Sequence, residues 1–76
     1  MSALQVARTR QANEVARCIN MLVTHYGTNH MRDVAVQYKS RLIAHTTYIN
    51  TIIALCYVSD LTAEKVFDRW VATYGG

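Results

Sequence analysis

Apolar residues recur at three- and four-residue steps in the first third of the chain, the spacing that lines one face of an α-helix. This stripe consists of Ala12, Val15, Ile19, Leu22 and Tyr26. Ser2 can cap the helix at its start, and Gly27 lies just past the last periodic residue, where helices commonly end. The pattern predicts a helix over residues 3–26.

A second periodic run follows a short connection that contains Thr28 and Asn29, both able to cap a helix. Its main stripe consists of Met31, Val34, Tyr38, Leu42, His45, Ile49, Ile52 and Cys56. The β-branched residues of 46–58 would also suit a strand. No turn signal separates this segment from the helical pattern before it, so we predict a single helix over residues 30–58.

A third helix is predicted over residues 63–74, with Thr62 as the N-cap. Leu61 and Val66 then occupy the two positions that form a hydrophobic staple around an N-cap. The apolar face of this helix consists of Val66, Phe67, Trp70, Val71 and Tyr74. The chain is therefore predicted to be all-α, a long antiparallel helical hairpin with a short C-terminal helix.

The hairpin defines which residues should meet, because a short connection makes two long helices antiparallel. Cys18 is expected beside position 38, which leaves Cys56 about 27 Å away by helical rise. A disulfide needs Cα atoms within about 7 Å, so no bond within the chain is expected. Both cysteines are predicted to be small core residues.

Residues 46–58 carry more apolar side chains than one helix seam and a short third helix can cover. Large exposed apolar patches are rare on monomers. We therefore expect a helical-bundle homo-oligomer, a dimer or larger, with Ile49 and Ile53 in its interior. The alternative is a compact three-helix monomer.

The composition limits the class of protein. The chain has 76 residues, enough for one domain (1–76), and 51% of them are hydrophobic against 17% charged, which excludes intrinsic disorder. The least charged stretch, residues 42–58, is shorter than the ~20 apolar residues that span a bilayer. No secretory leader is visible at the start, so we expect a cytoplasmic protein without membrane contact.

The sequence motifs give little support for a catalytic function. The chain has no nucleophile elbow, glycine-rich phosphate loop or Cys-x-x-Cys pair. His25 and His30 flank the first turn, but zinc sites want three or four ligands. His45 is either an interior histidine or a pH-sensitive contact. We expect no enzymatic activity, cofactor or metal.

Two surfaces could bind a partner. The first is a basic and aromatic patch, suited to phosphates and bases, that the hairpin would assemble from Arg17, Arg32, Tyr38, Lys39 and Arg41. The second is the third helix, where Trp70 is either an interface anchor or part of a lid that closes the hairpin.

The hypothesis that follows is a non-enzymatic, homo-oligomeric helical binding protein that modulates or inhibits another protein. Its small size and lack of catalytic motifs are typical of phage or mobile-element regulators. The alternative function is binding of nucleotides or RNA through the basic patch, which the net charge of +3 favours only weakly.

Overall fold

The computed structural model describes residues 2–40 and 45–76. These residues form four α-helices and no strand: α1 (Ala3–Tyr26), α2 (Thr28–Ser40), α3 (Thr46–Cys56) and α4 (Asp60–Tyr74). The predicted all-α class is confirmed. Within the same two ranges, no helix has both the length and the apolar character needed to cross a membrane.

The first helix has the bounds that its periodicity predicted. Ser2 caps it with a reciprocal pair of hydrogen bonds. The backbone N–H of Gln5 donates to Ser2 Oγ (3.2 Å), and the backbone N–H of Ser2 donates to Gln5 Oε1 (3.4 Å). At the other end, the N–H of Gly27, whose φ is 83°, donates to the Val23 carbonyl oxygen.

The last helix begins earlier than predicted. Its N-cap is Ser59, whose Oγ accepts a hydrogen bond from the backbone N–H of Thr62 (3.3 Å). Thr62 was the predicted N-cap, and that prediction is wrong. Both hydroxyl residues have capping chemistry, but the side chain of Thr62 is buried in the first turn, 3.1 Å from Ser59 Oγ.

The predicted single helix over residues 30–58 is wrong as well. His45 lies outside α3 as its N-cap residue, and α3 ends at Cys56, followed by Tyr57 in the left-handed conformation (φ 55°). The ring of Tyr48 lies 6.2 Å from the ring of His30. One straight helix would separate these residues by about 27 Å. The chain therefore reverses between them, so that α3 returns toward the start of α2.

This arrangement pairs α1 with α3 in a register different from the one predicted. The helix α3 runs antiparallel to α1, with Arg17 against Cys56 and Tyr26 beside Tyr48. Cys18 and Cys56 are both buried, as predicted, but they interact with each other. The expected separation of about 27 Å between the cysteines is therefore wrong.

The core lies where α4 packs across the other three helices. Trp70 has no exposed surface, and its Nε1–H donates to the carbonyl oxygen of Met31 in α2 (2.7 Å). Aromatic rings from all four helices lie beside Trp70 or beside the rings that contact it. Large aromatic side chains supply much of the burial energy in a core of this size.

The apolar excess on residues 46–58 is mostly covered within one chain. Ile49 is 8% exposed and Ile52 is fully buried, while Ile53 is half-buried. Much of this cover comes from α4, which packs against α3. Assembly of copies through this face stays a prediction. Among the described residues, the large apolar side chains that remain exposed are Leu4, Val6, Val36, Tyr57 and Leu61.

Candidate functional site

Arg17, the first residue of the predicted basic patch, makes contacts that support the fold. Its Nη2 donates to the carbonyl oxygen of Cys56 (3.1 Å), and its Nη1 lies 3.2 Å from Met21 Sδ. The last carbonyls of a helix lack partners and carry partial negative charge. Arg17 therefore caps the C-terminal end of α3, a role that depends on an element far away in sequence.

The other residues of that patch lie against different parts of the fold. The side chain of Lys39 lies beside Gly75 and Gly76 at the end of α4. Arg32 is exposed on α2, and Arg41 lies outside the described residues. Since Arg17 contacts the end of α3 and Lys39 the end of α4, the structure does not join them in the predicted way.

The aromatic members of the predicted surfaces face inward. Tyr38 is half-buried, with its ring 4.9 Å from that of Phe67 in a T-shaped arrangement. Phe67 is 1% exposed and Trp70 has no exposed surface. Trp70 is thus part of the lid over the core, and the alternative that it is a surface anchor is wrong for this conformation.

The histidines are spread over the aromatic cluster. His30 stacks on Tyr26 with the ring centroids 4.5 Å apart, and its Nε2 is buried without a hydrogen-bond partner. His45 is half-buried, 5.3 Å from the ring of Phe67, which fits the interior interpretation. In residues 2–40 and 45–76, no three His, Cys, Asp or Glu side chains are placed to hold a metal ion.

The two cysteines form a buried pair between α1 and α3. Burial raises the pKa of Cys56 to about 12, and the hydrogen bond and charge of Cys18 act in the same direction, against a lowering by Arg17. The thiolate is the nucleophilic form of cysteine. At neutral pH the Cys56 thiol is therefore protonated, and the two buried side chains pack between α1 and α3.

A groove of about 750 Å³ lies between α1 and α3. We call it the α1–α3 groove. Met21 and Leu55 supply apolar surface, and Arg17 is its one permanently charged residue. The remaining lining residues are Asn20, Thr24 and His25. A volume of this order lies in the range of ligand-binding clefts, about 300–1,000 Å³.

A second concavity, of about 400 Å³, lies between α1 and α4. Its rim carries three basic side chains, Arg8 from α1 and Lys65 and Arg69 from α4. We call it the cationic cleft. The sequence alone does not reveal this cleft, because Arg8 is far along the chain from Lys65 and Arg69. The only local signal is the four-residue spacing of Lys65 and Arg69, which places both on one face of α4.

Comparison with known proteins gives no relative to guide the interpretation. No protein-family model, curated protein or solved structure matches the chain. Function is therefore inferred from the geometry of these two concavities and of the exposed apolar side chains.

Proposed function

We propose that this chain is a non-enzymatic helical binding protein that modulates another protein by binding a segment of it in the α1–α3 groove. The observation that supports this is a groove whose apolar surface comes from two half-buried side chains, Met21 from α1 and Leu55 from α3, with a fixed arginine at its edge. We also propose a cytoplasmic location, which suits two buried, unbonded thiols.

The proposed occupant is an amphipathic segment with an apolar side chain and a carboxylate. Methionine adapts its shape to different apolar partners. Arg17 has five N–H donors. The hydrogen bond to Cys56 and the contact with Met21 fix the guanidinium in place while leaving donors free. None of the described residues that line the groove is acidic, so the charge that complements Arg17 has to come from the partner.

A random peptide library displayed on a surface tests this proposal without knowledge of the natural partner. We expect selection on the protein to enrich peptides with an acidic residue next to large apolar ones. Asn20 is exposed and lines the groove, whereas Asn13 is exposed on the same helix outside it. Asn20→Glu should weaken binding of the selected peptides about tenfold through charge repulsion, and Asn13→Glu should not.

Two results would contradict the proposal. One is a selection that enriches no acidic, apolar consensus. The other is an equal effect of Asn20→Glu and Asn13→Glu, since both variants change the net charge alike but only the first changes the groove. Because both positions are exposed, neither substitution should disturb folding.

We further propose that two copies of the chain associate through the first turns of α1. Every residue from Ser2 to Arg10 is exposed, including Leu4 at 60% and Val6 at 42%. We call residues 2–10 the basic arm, because Arg8 and Arg10 are its only charged residues. Exposed terminal turns of a helix are marginally stable in water, so a covering surface would stabilise the arm.

The start of α4 in a second copy has the complementary character. Tyr57 is 92% exposed and Leu61 is 65% exposed, and the carboxylates of Asp60 and Glu64 lie in the same first turns. Apolar side chains beside charges of opposite sign suit the basic arm. A two-fold axis would let each copy cover the arm of the other.

A further inference from the structure

The cationic cleft brings together three positive charges from two helices. Arg8 lies on α1, and Lys65 and Arg69 lie one helical turn apart on α4. Ala12 and Val15 also line the cleft, and Val15 is only 5% exposed. The charged groups therefore surround a concavity with an apolar floor, where their fields add and water screens them less than on a convex surface.

Within residues 2–40 and 45–76, no carboxylate lines this cleft. Like charges brought close together repel each other, and an anion in the cleft would offset that repulsion. Lys65 makes a neutral contact within the cleft, since its Nζ donates to Gln11 Oε1 at 2.9 Å. This bond holds the ammonium group in place and leaves two of its three N–H donors free.

The donor set favours one kind of anion. Guanidinium groups bind phosphate oxygens through two parallel hydrogen bonds, and an ammonium group adds a point charge. A phosphate group has enough oxygen acceptors to engage all three side chains. We propose that the cationic cleft binds a phosphate group, either free or carried by a nucleotide or a nucleic-acid strand. This site is separate from the α1–α3 groove and does not depend on it.

The test is a set of calorimetric titrations with three probes: inorganic phosphate, adenosine monophosphate and a single-stranded RNA octamer. Lys65→Gln and Arg69→Gln each remove one charge from the cleft. Lys39→Gln and Arg32→Gln are matched controls, because both side chains are exposed and neither lines the cleft. The two cleft variants should each weaken binding about tenfold, while the controls change it less than about twofold.

The three probes identify the source of the phosphate. Equal affinity for all three indicates a free phosphate site, tighter binding of the monophosphate indicates a nucleotide, and tight, steeply salt-dependent binding of the octamer indicates a strand. The proposal is overturned if no probe binds at millimolar concentration. It is also overturned if all four variants weaken binding equally, because net charge alone would then account for it. Melting curves should confirm that these exposed substitutions leave the fold intact.

Discussion

Removal of Arg17 tests whether this side chain stabilises the end of α3. The hydrogen bond from Nη2 to the Cys56 carbonyl oxygen is 3.1 Å long and partly buried. A hydrogen bond with one charged partner contributes roughly 1.5–3 kcal/mol. Because Arg17 is otherwise exposed and water can replace part of the contact, we expect Arg17→Ala to cost about 1.5 kcal/mol, near the lower end.

This loss should be measured by circular dichroism during thermal and urea unfolding. For a domain of this size, about 1.5 kcal/mol lowers the Tm by roughly 6–12 °C. Arg32→Ala is the matched control, since Arg32 is exposed on α2 and gains the same helix propensity when replaced by alanine. It should change stability by less than about 0.5 kcal/mol. Equal stability of the two variants would refute the capping role of Arg17.

Three further predictions concern the core, the thiols and the assembly. Trp70→Ala should lower the free energy of unfolding by about 3–5 kcal/mol in urea titrations, and a loss below about 1 kcal/mol would contradict its place in the core. Burial raises the pKa of Cys56 from 9.0 to about 12. The stabilisation that comes from keeping this thiol protonated is therefore fully present below pH 9, and it is lost as the pH rises toward 12. Wild-type protein should therefore lose stability more steeply than Cys56→Ala over that pH range, and parallel curves would contradict the shift. Light scattering at micromolar concentration should give a mass at least twice the 8.6 kDa of one chain. Leu4→Asp should shift that mass toward the monomer, and a monomeric wild type at about 100 μM would contradict the proposed dimer.

Helices whose ends are marked by local capping residues could be predicted from the sequence. The bounds of α1 agree with its periodicity because Ser2 and Gly27 mark both ends chemically. The start of α3 carries no such mark, since His45 makes no side-chain capping bond and no glycine or proline precedes it nearby. Its position follows from Tyr48, which packs beside Tyr26, a contact that helical periodicity does not encode.

The candidate sites were harder to predict than the helices. The predicted basic patch depended on the hairpin register, so its geometry changed once α3 paired with α1 in a different register. The residues of the cationic cleft are recognisable as basic from the sequence, but their convergence requires α4 to cross α1. Contacts between distant segments decide both surfaces, and a single sequence contains no direct record of those contacts.

The place of Trp70 gives the protein a built-in optical reporter. It is the only tryptophan in the chain, and its indole N–H is bonded to the Met31 carbonyl oxygen in a fully buried site. Indole fluorescence shifts to longer wavelength when the ring meets water, so its emission should report the docking of α4 onto α2. Tyr26 and Tyr48 lie 6.1 and 5.4 Å away, ring to ring, close enough to pass excitation energy to it. Emission from Trp70 after excitation of the tyrosines therefore reports the packing of α1 and α3 against Trp70, without an attached dye.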